Sequence, residues 1–344
     1  MPSHDLDELL DLADDALDEG DFEAALEHCD EALIADPGNP DARERRALAL
    51  GGLGDAEEAA FEWTGLIAAA PKEPRYLLGA ANLLVRQHDD DEDALEEALE
   101  LLERARRLVK RDADLMVELE LLSGMARTQL GDPAGALAAL ERARAARPDD
   151  LEVQLELAIA CFESARFAEA SRTLDGLLAA SPQLAEAHHL RGLILERAKD
   201  SAASAAFEKA SALDPHGFPR PTRLSAEAFD AAVAQAIEQL PAHARAELGN
   251  VTIAVEDLPS DEDLDGGRLS PTMLGLFQGT PVTERKVTSD VDHQTARIFL
   301  FQKNLERFAK DRDELVEQIG ITLLHEVGHL LGLDEDDLRD RGLD

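Results

Sequence analysis

The chain has 344 residues with 34 basic and 73 acidic side chains, a formal net charge of -39, and few aromatics (11 Phe, 1 Trp and 1 Tyr). The length leaves room for two domains with sizeable cores, and the acid excess repels phosphate backbones and anionic lipid, which argues against nucleic acid or a membrane as partner. The opening MPSHDLDELLDLADD lacks a basic and then apolar leader, no 18 apolar residues run together, and the only two cysteines, Cys29 and Cys161, stand far apart; the expected location is reducing cytoplasm.

Helix-ending prolines recur at Pro37, Pro71, Pro148, Pro182 and Pro215, spaced 34, 77, 34 and 33 residues apart. The long gap is two periods plus nine residues, and the acidic run from His88 to Asp93 supplies the insertion. Six helix pairs of about 34 residues are predicted, the third near 74–116. Twelve residues before each proline stand Ala25, Ala59, Ala136, Ala170 and Ala203, and five before stand Ala32, Leu66, Ala143, Leu177 and Ala210. Small residues at a fixed register let antiparallel helices approach closely, and Gly20, Gly54 and Gly131 fall where the turn between them needs positive φ. Cys29, Trp63 and Cys161 read as packing residues, and His188 and His189 as solvated helix-surface residues.

This pattern, with its ends Asp36-Pro37-Gly38-Asn39 and Asp214-Pro215, resembles the tetratricopeptide repeat. The resemblance implies an all-α, right-handed solenoid over residues 1–215 whose concave side holds a protein partner. The groove-lining positions of the first helices include Glu44, Glu118, Glu152, Glu186 and Glu196, with scattered Asn82, Arg86 and Arg197. No clamp for a C-terminal carboxylate is legible there, so a basic or apolar peptide is expected, held in part by long-range attraction that salt weakens.

The period stops at Pro215, and His216-Gly217-Phe218-Pro219-Arg220-Pro221 reads as a stiff linker over 216–221. A different domain is predicted over 222–344: helices near 225–240 and 242–248, a strand at 251–255, an acidic loop from Asp261 to Gly267, a segment 273–279, a strand at 297–301, and helices near 302–309 and 312–331. That order gives a small α+β fold. Few core contacts are expected to cross the linker, so that a piece beginning near 218 should fold alone.

The last of these helices contains His325-Glu326-Val327-Gly328-His329, an HExxH spacing, followed by Gly332 and the acidic run Asp334-Glu335-Asp336-Asp337. Histidines four apart lie on one helix face and reach one metal, while Glu326, turned by about 100°, reaches water beside it. Gly332 stands where the helix must end and turn back, which lets a downstream carboxylate supply a third ligand; Glu335 is favoured, with Asp334 and Asp336 as alternatives. Only 15 residues follow His329 and no methionine follows Met273, so neither a downstream glutamate-donating helix nor a methionine turn is expected.

The segments LGLFQGTPV (274–282), RIFLFQKNLERF (297–308) and ELVEQIGITLLHEVGHLLGLDEDDL (314–338) resemble a small bacterial family of minimal zincin-like metallopeptidase domains. The resemblance implies a compact zincin core with Zn2+ on His325, His329 and a carboxylate, and Glu326 as acid/base in peptide-bond hydrolysis. With three protein ligands the fourth zinc position stays open to water, whose pKa falls to about 7, and Glu326 takes its proton. The only tyrosine, Tyr76, lies in the repeats, which leaves His293, Arg297 or Arg285 to stabilise developing charge. The competing reading is a repeat scaffold whose zincin-like appendage holds metal but cleaves weakly.

Overall fold

A computed structural model of the chain describes residues 6–87, 91–109, 112–249, 251–281 and 296–339, the side chains of Glu335 and Asp336 excepted. The chain divides into two compact units, Met1–Cys161 and Phe162–Asp344.

In the first unit, eight helices precede a ninth that begins at Leu151: α1 (Leu6–Glu19), α2 (Phe22–Ala35), α3 (Pro40–Leu53), α4 (Ala56–Ala69), α5 (Pro74–Gln87), α6 (Glu92–Leu108), α7 (Ala113–Gln129), α8 (Pro133–Ala146) and α9 (Leu151–Glu163). Consecutive helices pack from α1 to α8, and α1, α3, α5 and α7 also touch in series, which is the layering of a repeat solenoid. The local causes are in the sequence. Asp21, Asn39, Asp91, Asp112 and Asp132 cap α2, α3, α6, α7 and α8 by accepting backbone N–H groups of the first turn. The register alanines Ala25, Ala32, Ala59, Ala136 and Ala143 are fully buried, as is Cys29, while Trp63 and Cys161 are nearly so. Two buried carboxylates tie neighbouring helices: Glu62 lies between Arg43 and Arg46, and Glu120 between Arg106 and Arg142. Burial would raise the Glu120 carboxyl, but the hydrogen bonds from Arg106 and Arg142 outweigh it and hold it below the usual range.

The second unit continues with α10 (Phe167–Ala180), α11 (Ala185–Arg197) and α12 (Ala203–Leu213). The turn glycines Gly20, Gly54 and Gly131 have φ of 76°, 85° and 69°, and at the same register 34 and 68 residues past Gly131 stand Ala165 and Lys199, with φ of 56° and 55°. Those two side chains adopt the left-handed turn without glycine, at roughly 1–2 kcal/mol each.

Beyond Pro215 follow α13 (Ala226–Gln239), α14 (Ala242–Leu248), β1 (Thr252–Glu256), β2 (Gly275–Gln278), β3 (Arg297–Phe301), α15 (Gln302–Phe308), α16 (Arg312–Leu331) and α17 (Glu335–Arg339). The sheet order is β1-β3-β2, with β1 parallel and β2 antiparallel to β3. The most buried strand is the central one, β3, and its Ile298 and Leu300 share a core with Phe229 and Val233 of α13 and Leu315, Ile319 and Leu323 of α16. Among the described residues, no helix is long and apolar enough to cross a membrane.

Three expectations are corrected within this second unit. Contacts do cross the 216–221 segment: Glu196 of α11, only 9 % exposed, accepts from Arg223 and from Arg307 of α15. Arg197 donates to the Pro259 carbonyl (2.9 Å) and to Asp261 (2.7 Å) while stacking on Phe167. Both residues are therefore engaged by the chain itself, and neither lines an open groove. His189 is not a solvated surface residue either. Its ring packs between Phe207 and Phe218, and burial, with Arg307 nearby, pushes its pKa down to about 4.

Candidate metal centre

Helix α16 carries two working faces beside its core stripe. Leu315, Ile319, Leu323 and Val327 recur every four residues and are buried in the core. Positions 325 and 329 lie about 200° from that stripe, so the two imidazoles turn away from the core and remain half-buried. Their Nε2 atoms converge to 3.1 Å. The Nδ1 of His329 is 3.1 Å from the Leu333 carbonyl, which only accepts, so Nδ1 is the donor there, and in the neutral ring that tautomer leaves the Nε2 lone pair for a metal. Fixing the tautomer of a ligating imidazole through a carbonyl at its other nitrogen is how metal sites orient their histidines. The donor pair thus fits a single divalent transition metal such as zinc.

The helix ends at Leu331 because Gly332 takes φ 86° and returns hydrogen bonds from its own N–H to His329 and from Leu333 to Gly328. This reversal brings the acidic run back over the helix. Asp334 caps α17 by accepting the Asp337 N–H at 2.9 Å, and fully buried Leu338 packs where a side chain on Gly328 would stand, 2.1 Å from the Cβ position. Gly328 is therefore the seat of α17. Glu335 is the first residue of that helix; its side chain and that of Asp336 lie outside the described residues. Among the described residues, no group of three His, Cys, Asp or Glu side chains is gathered.

Glu326 is 5 % exposed and shares its face with Thr322. A Cβ built on Gly275 would stand 2.5 Å from Thr322 Cγ2 and 3.0 Å from Glu326 Oε1, so the backbone of β2 runs directly against the carboxylate. Only glycine permits that approach. Reading the sequence did not single out Gly275; its one signal was a glycine at the start of the LGLFQG segment, opposite an HExxH helix that only the fold brings near. Of the three candidates for charge stabilisation, Arg285 and His293 lie outside the described residues. Arg297 is exposed and pairs with Gln278, three residues or about 10 Å along the sheet from the Gly275–Leu300 pair beside Glu326.

A family model described as zincin-like metallopeptidase matches residues 248–343, and a tetratricopeptide repeat model matches 16–83 and 127–194. Solved structures with similar folds include a tetratricopeptide repeat protein of Thermus thermophilus (24 % identity, 57 % of this chain and 100 % of that one, TM-score 0.48). Others are pilF of Pseudomonas aeruginosa (20 %, 66 % and 96 %, TM-score 0.49) and a repeat protein of Parabacteroides merdae (18 %, 61 % and 78 %, TM-score 0.49). No curated protein matches. The chain therefore joins tetratricopeptide repeats in its N-terminal region to a zincin-like metallopeptidase domain at 248–343.

Proposed function

We propose that this protein is a cytoplasmic zinc metallopeptidase in which His325, His329 and Glu335 hold the metal, Glu326 is the acid/base, and the repeats recruit a protein substrate or regulator. The observation that carries the reading is the convergence of the two Nε2 atoms beside a buried carboxylate that faces a strand backbone. Bound zinc would supply an open coordination position, a Lewis acid for the scissile carbonyl and a water of lowered pKa. Glu326 would serve as the base toward such a water and as the acid toward the leaving amine. Among the described residues β2 pairs only with β3, so its outer edge suits an extended peptide added as a further strand. Cys29 and Cys161 are both buried and not joined in a disulfide, which accords with a reducing compartment.

Metal analysis tests the ligands. The wild type should hold about one zinc per chain, because two imidazoles and a carboxylate with one open position make one site, and His325→Ala with His329→Ala should hold none. Retention of zinc by the double variant would place the site elsewhere.

For recruitment, the first unit offers an acidic inner face. Glu44 and Glu152 each lie close enough to act on Glu118, with Arg86 bonded to Asn82 and Glu152. Beside Arg86 opens a cavity of about 410 Å³ lined by Phe22, Leu48, Trp63 and Leu83. A partner segment with an apolar side chain next to a lysine or arginine fits both features. Burial, and then the field of Glu44 on Glu118, raises the carboxyl pKa at Glu44 and Glu118. A bound cation would pull those values back down, so affinity should be full above the raised pKa and fall as pH drops through it. Anisotropy titration of a Lys-Leu peptide should show weaker binding at acid pH and at high salt; tighter binding of an acidic peptide, or indifference to both variables, would overturn the assignment.

A further inference from the structure

One buried side chain holds two carbonyls of the segment entering β2. Asn304 of α15, 3 % exposed, donates from Nδ2 to the carbonyls of Pro271 (3.1 Å) and Met273 (2.7 Å). Its Oδ1 accepts from Arg307, whose guanidinium also donates to Glu196 on repeat helix α11. Glu196 is fixed in turn by Arg223, at 2.8 Å, and Arg223 reaches Glu306 at 3.0 Å. Two residues beyond Met273 the chain passes Gly275 against Glu326. A continuous line of polar contacts thus runs from the last repeat pair to the backbone that faces the candidate acid/base.

We infer that Asn304, backed by Arg307 and Glu196, is a positioning residue that sets the distance between strand β2 and Glu326, so that the sixth repeat pair is a working part of the cleft. Two features select this line over ordinary packing. Both amide hydrogens of Asn304 go to carbonyls just before the strand, where the described β2–β3 ladder has not yet begun, and its remaining oxygen is committed to the residue that reaches the repeat. The carbonyls of a strand entrance are free to rotate unless such a donor pair holds them. Glu196, only 9 % exposed, is likewise an anion inside the fold whose charge is met by Arg223 and Arg307. The assignment of a substrate to this strand rests on the peptidase reading; the positioning of the strand does not.

The test uses the full chain and hydrogen–deuterium exchange read by mass spectrometry. Asn304→Asp is nearly isosteric: it keeps an acceptor for Arg307 and replaces both donors with an oxygen that repels the two carbonyls. Exchange over 274–278 should quicken about 10- to 100-fold, the loss expected when buried donors to two carbonyls are removed, while β1 at 252–256 keeps its protection. Glu196→Gln, which leaves the strand entrance itself untouched, should produce a smaller increase in the same segment, and it serves alone should the Asp variant fail to fold. Unchanged exchange at 274–278 in the folded variants, or a uniform rise across β1 and β2, would overturn the proposal. Should a cleaved peptide be in hand, Asn304→Asp should raise KM with little change in kcat, whereas loss of Glu326 lowers kcat. Selective quickening of β2 in a protein that never cleaves peptide would sink the peptidase reading and leave the positioning line standing.

Discussion

Glu326→Gln should leave zinc bound and lower peptide hydrolysis by about 10²- to 10⁴-fold, the range that a positioned acid/base contributes. The carboxylate is 5 % exposed, sits between the two imidazoles in sequence, and lies against the Gly275 backbone, so the amide replaces it in the same volume with no change of packing. What glutamine cannot do is accept a proton. The metal should stay because His325 and His329 supply its nitrogens independently, with the Nδ1 of His329 still held by the Leu333 carbonyl. Zinc analysis beside a peptide-cleavage assay separates the alternatives. Equal cleavage by variant and wild type would show that another group carries the chemistry, and a wild type that holds zinc but cleaves nothing would favour the scaffold reading.

What the sequence disclosed and what it hid follow from the range of the interactions. The six repeat pairs and the α16 stripe are periodic, and a period of 34 or of four residues is visible because each copy faces the same local geometry. HExxH is legible for the same reason, since both histidines sit on one helix. Gly275 was not, because its meaning depends on Glu326, 51 residues later, and on a sheet register that no local pattern encodes. Glu196 and Arg197 occupy first-helix positions that the repeat resemblance assigns to a groove, so repeat register alone read them as open; only the fold shows Arg307 and Asp261 upon them. The turn residues Ala165 and Lys199 illustrate a third case, in which the backbone keeps its conformation after the glycine that announces it is gone.

A fragment spanning 151–344 should unfold cooperatively, whereas 218–344 should lack a sharp transition and near-UV dichroism. The shorter piece keeps the HExxH helix and the sheet but loses the surfaces that hold their outer side. Glu196 leaves Arg307, whose side chain is 11 % exposed in the intact chain and whose burial already pulls its pKa below the usual arginine value. Arg197 leaves the Pro259–Asp261 turn, Glu163 leaves Ser270 (2.7 Å), and the ring of His189 leaves Phe218. Charge-assisted bonds between buried partners, here Glu196 with Arg307 and Arg197 with the Pro259 carbonyl, contribute about 1.5–3 kcal/mol each, the exposed Asp261 adding little, and a domain of this size has only about 5–15 kcal/mol to lose, so removal of these anchors together consumes much of its stability. Beginning the longer fragment at Leu151 retains all of α9, and with it Glu163 and the Ser164 carbonyl against which Gly267 is seated. Thermal melts followed by near-UV dichroism decide the matter. A cooperative transition in 218–344 at the temperature found for 151–344 would mean that the repeat helices add nothing to the fold of the zincin-like domain, and that their polar contacts with it contribute no net stability.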